Sequence, residues 1–124
     1  FYRPYSAVRN TETLERLMAE APNPYNGVTY CQGLYLSGDD IYEAIRRFQG
    51  RMFFAHARDL RRRGDAFDEV PLGEGDIDFT KVLRLLEEAG YEGLVCPEHL
   101  GPDKPGVDLE AEAVRYLRKL LAGS

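Results

Sequence analysis

The segment Met52-Phe53-Phe54-Ala55-His56 is an almost continuous apolar run of strand length that ends in a histidine. Two similar runs lie before and after it, Gly27-Val28-Thr29-Tyr30-Cys31 and Gly93-Leu94-Val95-Cys96. Apolar runs without strict polar alternation are typical of strands in parallel sheets, which are buried on both faces. We therefore predict three parallel strands and expect both faces of their sheet to be covered.

Four stretches with the apolar spacing of amphipathic helices flank and separate these strands. Their apolar positions are Leu14, Leu17, Met18 and Ala21; Ile41, Ala44, Ile45 and Phe48; Phe79, Val82, Leu83 and Leu86; and Ala113, Val114, Leu117, Leu120 and Leu121. The expected N-caps, in the same order, are Asn10, Ser37 or Asp39, Asp78 and Asp108, and Gly90 is expected to end the third helix in a left-handed conformation.

The order helix, strand, helix, strand, helix, strand, helix predicts an α/β fold with right-handed crossovers between parallel strands. A (β/α)₈ barrel takes about 250 residues, and this chain has 124. We therefore predict a partial (β/α)₈ TIM barrel in which residues 1–124 form the C-terminal β/α units, without a second domain. The start at Phe1, without Met, agrees with the expectation that the N-terminal half of the barrel precedes this chain.

Composition excludes several classes of function. Sixteen Lys and Arg against 21 Asp and Glu give a formal charge of −5, which argues against a nucleic-acid partner because such binding relies on surplus cations. No apolar stretch is long enough to span a membrane. Two cysteines, Cys31 and Cys96, favour a reduced, cytoplasmic protein, although a disulfide bond between them is an alternative. The open edges of a half-barrel predict either a homo-oligomer or association with the missing half.

Three potential metal ligands stand at the ends of the three predicted strands: Cys31, His56 and Glu98. The carboxyl ends of parallel strands converge on the ligand site of α/β folds, so these side chains are expected to meet. A thiolate, an imidazole and a carboxylate suit Mn²⁺, Fe²⁺ or Zn²⁺ better than Mg²⁺ or Ca²⁺. Taken one at a time, each has a structural alternative: a small buried Cys, a hydrogen-bonded His and an exposed Glu.

Two further segments could be taken for anion sites. Arg58 shares a strand face with His56, and its guanidinium suits a carboxylate or phosphate. The run 61–63, three arginines, is predicted to be a solvated loop. The Gly-rich segment 73–78 lacks the Lys-Ser/Thr of a P-loop and carries three acids, so we predict a turn followed by a helix cap.

Several segments, in this order, resemble the mannonate dehydratases. Residues 26–33, NGVTYCQG, are similar to their NG-x-T-x-C-x-G segment, and residues 51–59, RMFFAHARD, to their R-x-x-F-x-H-x-R strand. Residues 91–99, YEGLVCPEH, resemble the strand that ends in R-P-D-H, and Arg3-Pro4 resembles a loop after an earlier strand. The resemblance runs through almost the whole chain.

This resemblance implies a divalent-metal (β/α)₈ barrel enzyme of hexuronate catabolism that converts D-mannonate, a sugar acid, to 2-dehydro-3-deoxy-D-gluconate. It implies Mn²⁺ or Fe²⁺ held by Cys31, His56 and Glu98, with His99 as a proton-transfer residue. Arg58 is implied in catalysis and substrate binding, and Arg3 in substrate binding. The family's other metal-binding His precedes the Arg-Pro loop, so the isolated piece is expected to be inactive.

Two alternatives to the dehydratase remain. Glu98 stands where the family carries Asp, and Val107 stands where it carries a catalytic Tyr. Glu98 and residues 72–79 are similar to sugar isomerases and epimerases of the wider xylose isomerase-like family, which favours that activity as the first alternative. The second alternative is a non-catalytic half-barrel that oligomerises.

Overall fold

In a computed structural model, residues 8–123 of the chain are described. Helices and parallel strands alternate as the apolar pattern predicts, and an antiparallel hairpin that the pattern does not predict follows the second parallel strand. The helices are α1 (Thr11–Glu20), α2 (Ile41–Arg47), α3 (Phe79–Glu88) and α4 (Leu109–Ala122), and a 3₁₀ helix spans Gln32–Ser37. The strands are β1 (Val28–Tyr30), β2 (Met52–Ala57), β3 (Asp59–Arg63), β4 (Ala66–Val70) and β5 (Val95–Pro97).

Strand β2 lies in the centre of a three-stranded parallel sheet with the order β1-β2-β5. Tyr30 pairs with Ala55 on one side of β2, and His56 pairs with Cys96 on the other. The predicted parallel sheet is therefore confirmed. Strand β5 begins at Val95, two residues after the apolar run begins at Gly93.

The helices bury one face of this sheet. Tyr30, Ala55 and Ala57 are at most 1% exposed and pack in the same core as apolar residues of α2, α3 and α4. Residues two apart along a strand share a face, and on the opposite face Leu94 is 74% exposed and Cys96 is exposed. The expectation that both faces are covered is therefore wrong for residues 8–123, because a barrel interior is filled by side chains from all its strands.

Most of the predicted helix caps are confirmed. Asn10, Asp78 and Asp108 accept backbone N–H groups at the starts of α1, α3 and α4, and Gly90 has a φ of 70° after α3. The prediction for α2 is wrong, since Asp40 is its N-cap.

Long-range and local contacts explain that difference. The Asp39 carboxylate accepts the backbone N–H and the hydroxyl of Thr11, at 2.6 and 2.7 Å. The Ser37 hydroxyl donates to the carbonyl oxygen of Leu34 within the 3₁₀ helix. Asp40 therefore accepts the free N–H groups of Tyr42 and Glu43.

The run of arginines at 61–63 belongs to a strand and not to the loop that the sequence suggests. Strands β3 and β4 form an antiparallel hairpin in which Arg63 pairs with Ala66, leaving Gly64 and Asp65 as a two-residue turn. The three arginines are solvent-exposed, as expected. The guanidinium of Arg62 lies 5.0 Å from the ring centre of Phe67, a cation–π contact across the hairpin.

A buried carboxylate holds the segment between the hairpin and α3. Asp59 is fully buried and accepts backbone N–H groups from Leu60, Gly73, Gly75 and Ile77, at 2.8 to 3.2 Å. Burial raises the pKa of Asp59, and these N–H donors act in the opposite direction. A Cβ on Gly75 would lie 2.1 Å from Asp59 Oδ1, so only glycine fits there. The predicted turn over residues 73–78 is thus confirmed.

We expect Asp59→Ala to lower the free energy of unfolding by about 3 kcal/mol or more, because it leaves four backbone N–H groups, two of them buried and two partly buried, without their acceptor. Urea unfolding followed by circular dichroism measures this change. The matched control is Asp68→Ala, which removes an exposed ion pair with Arg63 and should cost less than about 1 kcal/mol. Equal costs for the two variants would contradict the structural role of Asp59.

Candidate functional site

Cys31, His56 and Glu98 meet at the carboxyl end of the parallel sheet. Tyr30 of β1 pairs with Ala55 of β2, and Cys31 and His56 are the residues that follow them in the chain. His56 in turn pairs with Cys96 of β5, and Glu98 lies two residues beyond Cys96. The register therefore brings all three side chains to the same end of one sheet face. One ligand atom from each lies within 4.8 Å of the other two.

The Glu98 carboxylate is the centre of this cluster. Its Oε1 lies 2.9 Å from His56 Nδ1 and accepts a hydrogen bond from Cys31 Sγ at 3.3 Å. Burial raises the pKa of the Cys31 thiol to about 11; the Gly33 N–H bond to sulfur lowers it, and the Glu98 contact raises it again. Without a cation, the thiol therefore keeps its proton at neutral pH.

The donor set fits a divalent metal ion. The cluster offers a sulfur, a nitrogen and a carboxylate oxygen. Glu98 Oε1 lies 2.9 Å from His56 Nδ1 and 3.3 Å from Cys31 Sγ, within the roughly 4.6 Å that bond lengths of about 2.0 to 2.3 Å allow between two ligands of one ion. A bound cation would replace the thiol proton and neutralise Glu98. Borderline-soft ions such as Mn²⁺, Fe²⁺ and Zn²⁺ match this set.

Arg58 lies beside the cluster and is held from two directions. Its backbone N–H donates to Oε1 of Gln32 at 2.9 Å, and its guanidinium Nη2 forms an ion pair with Oε1 of Glu69. The side chain is only 16% exposed, and its Nε has no hydrogen-bond partner among residues 8–123. A Cβ on Gly33 would lie 3.0 Å from Arg58 Nη1 and 3.3 Å from Cys31 Sγ. Glycine at this position therefore lets the guanidinium approach the thiol.

His99 lies directly after Glu98, just beyond the end of β5. Its φ of 50° is the one positive value for a non-glycine residue in the described part of the chain, and such backbone strain often marks functional sites. Nδ1 lies 3.0 Å from Oε1 of Glu69, and Nε2 lies 3.6 Å from Oε2 of Glu98.

An open cleft lies beside Arg58 and His99, and Cys31, His56 and Glu98 are not among its lining residues. It has a volume of about 1220 Å³, and its walls include Leu36, Arg58, Phe67, Glu69 and His99. The hairpin, which the sequence analysis missed, supplies one wall of it. An open apolar cleft with a few convergent polar groups is typical of small-molecule sites.

The structure brings together five of the six residues that the sequence singles out. Cys31, His56 and Glu98 form the cluster, and Arg58 and His99 border it. Arg3 lies outside the described residues. The sequence analysis missed Gln32, which contacts Arg58, and Glu69, which contacts both Arg58 and His99. The Gly-Asp turn of the hairpin was the available signal, since this dipeptide between two strands favours a two-residue loop.

Solved structures similar to this chain define the class of fold to which it belongs. The solved structure of a xylose isomerase domain protein from Alicyclobacillus acidocaldarius superposes with a TM-score of 0.77 at 25% identity, covering 98% of this chain and 46% of that one. Mannonate dehydratase from Streptococcus suis serotype 2 gives a TM-score of 0.76 at 26% identity, covering 90% of this chain and 36% of that one. The chain therefore has the xylose isomerase-like TIM-barrel fold, of which it covers a part.

The particular family follows from the sequence. The model of the D-mannonate dehydratase (UxuA) family matches residues 5–108. A mannonate dehydratase from Thermotoga petrophila is 36% identical over 99 residues, which cover 74% of this chain and 28% of that protein. The chain belongs to the D-mannonate dehydratase family, and it spans less than a third of the length of this relative.

We expect Gln32→Met to lower the free energy of unfolding by about 1 to 3 kcal/mol, because it leaves the Arg58 N–H without its acceptor at a fully buried position. Urea unfolding gives the value. Gln49→Met, on an exposed position, is the matched control and should change stability by less than about 0.5 kcal/mol. A Gln32 variant as stable as the control would argue against this bond.

Proposed function

We propose that this chain supplies part of the active site of a divalent metal-dependent dehydratase that converts D-mannonate to 2-dehydro-3-deoxy-D-gluconate in hexuronate catabolism. The observation that carries the proposal is the cluster of Cys31, His56 and Glu98 at the strand ends of a chain from this family. We further propose that residues 1–124 are the C-terminal portion of the barrel. The free thiols favour a reducing, cytoplasmic setting.

In this proposal Cys31, His56 and Glu98 hold Mn²⁺ or Fe²⁺. When bound, such an ion polarises a substrate oxygen and stabilises the negative charge that develops when a proton leaves the carbon next to the carboxylate. The three ligands come from three neighbouring β/α units, so the fold and not a local motif fixes their spacing.

Arg58 and His99 act on the substrate itself. The buried guanidinium of Arg58 retains donors that suit the carboxylate of a sugar acid. His99 Nε2, at the edge of the cluster, accepts or returns a proton as the C–H and C–OH bonds of neighbouring carbons break. Arg3 is proposed as a second contact with the carboxylate.

The metal assignment predicts which side chains control ion binding. In the complete barrel, Cys31→Ala, His56→Ala and Glu98→Ala should each abolish stoichiometric Mn²⁺ binding, because each removes one ligand from a small set. Metal content after equilibrium dialysis is the measurement. Cys96→Ala, which removes an exposed thiol on the same sheet face, should leave one Mn²⁺ per chain. Unchanged metal content in the three ligand variants would overturn the assignment.

A second activity, sugar isomerisation or epimerisation, is favoured by Glu98 and by the equally close superposition on a xylose isomerase domain protein. Both activities would use the same metal ligands, so metal binding does not separate them. The substrates do, since dehydration needs a carboxylate-activated proton and isomerisation acts on a ketose or aldose.

We expect the full-length protein, loaded with Mn²⁺, to form the 2-keto acid from D-mannonate and to leave ketoses unchanged. Product analysis by NMR distinguishes the two reactions, and interconversion of ketoses without dehydration would favour the second activity. Residues 1–124 alone should turn over little or no D-mannonate, because further ligands and strands of the barrel are missing. Robust dehydration by this piece would contradict that expectation.

A further inference from the structure

The Glu69 carboxylate connects two residues of the site without belonging to the parallel sheet. It lies on β4, and the pairing of Leu60 with Glu69 in the hairpin places it beside the end of β2. Arg58 Nη2 contacts its Oε1, and His99 Nδ1 lies 3.0 Å from Oε1 and 3.1 Å from Oε2. The side chain of Glu69 is 36% exposed. Its two ionic partners both border the metal-ligand cluster.

We infer that Glu69 is a positioning residue, which fixes the orientation and tautomer of His99 and the orientation of Arg58. This inference rests on the proposed function only for the roles of those two residues. The contacts themselves are independent of any reaction.

The first consequence concerns the ring nitrogens of His99. A carboxylate beside Nδ1 favours the proton on that nitrogen, because only Nδ1–H can donate to it. In the neutral ring Nε2 then carries the lone pair, and Nε2 is the nitrogen nearer to Glu98. Glu69 therefore sets which nitrogen is free to accept a proton at the cluster.

The second consequence concerns Arg58. Glu69 binds only its Nη2, while Nε remains buried without a partner among the described residues. The ion pair thus fixes the plane of the guanidinium and leaves other donors for a ligand. Because the carboxylate sits on the hairpin, the fold of β3 and β4 determines the placement of both residues.

The tautomer of His99 tests the inference directly. In the metal-free full-length protein at alkaline pH, ¹⁵N–¹H correlation NMR reports which ring nitrogen carries the proton, and the signals lost in His99→Gln identify this residue. We expect the Nδ1–H tautomer in the parent. Glu69→Leu should shift the equilibrium toward Nε2–H, and Glu69→Gln should keep Nδ1–H because its amide oxygen still accepts.

Two further variants make the result decisive. Asp68→Leu removes the carboxylate of the neighbouring residue in β4, which forms an ion pair with Arg63. This variant should leave the tautomer of His99 unchanged. Glu69→Ala provides a second removal of the carboxylate if the leucine variant folds poorly. An Nε2–H tautomer in the parent, or the same tautomer in the parent and in Glu69→Leu, would overturn the inference.

Kinetics separate this inference from the proposed function. If D-mannonate is dehydrated, Glu69→Leu should lower kcat by about 10- to 100-fold, the range for losing a supporting contact of an active-site group, with Mn²⁺ content unchanged and partial rescue in Glu69→Gln. A parent that binds no metal and dehydrates nothing would reject the proposed function, while the NMR result would still decide the role of Glu69. Unchanged kcat in an active Glu69→Leu enzyme would overturn the positioning role.

Discussion

The parallel register of β2 between β1 and β5 is the constraint on which the candidate site depends. His56 pairs with Cys96, and Tyr30 pairs with Ala55, so the carboxyl ends of all three strands lie at the same edge of the sheet. A shift by one residue would turn each strand's side chains to the opposite face. The helices bury the face that carries Tyr30, Ala55 and Ala57, and this burial holds the register. The core of the protein therefore positions the cluster of Cys31, His56 and Glu98, although none of the three belongs to the core.

Three carboxylates near this sheet edge have different surroundings, and the surroundings distinguish what each carboxylate can do. Asp59 is fully buried and satisfied by backbone N–H groups, so it stabilises a turn. Glu98 faces a thiol and an imidazole, which makes it a ligand candidate. Glu69 faces a guanidinium and an imidazole on a half-exposed hairpin. In the sequence all three are simply acidic residues, and only the groups that they contact in the structure distinguish them.

Local sequence patterns were sufficient to predict the elements that depend on interactions between neighbouring residues. The apolar period predicted four helices, and short side chains before them predicted three caps, since both depend on residues within one or two turns. The strand-end cluster was also predictable, because parallel strands end at a common edge whatever the intervening sequence. Asp40 was missed as a cap because the Asp39 carboxylate accepts a hydrogen bond from Thr11, which lies 28 residues before Asp39. Glu69 was missed because its partners lie 11 and 30 residues away.

The open face of the sheet connects the fold to the chemistry. Leu94 is 74% exposed there, on the same face as the cluster, and in a complete barrel this face is filled by side chains from the remaining strands. Excluding water from the cluster strengthens the electrostatic interactions between a cation, its ligands and a developing negative charge. The side chains of Glu98 and His56 remain 26% and 27% exposed in this part of the barrel. The cluster is thus arranged by this part of the fold, and we propose that the rest of a complete barrel supplies the low-polarity environment in which a metal site can act.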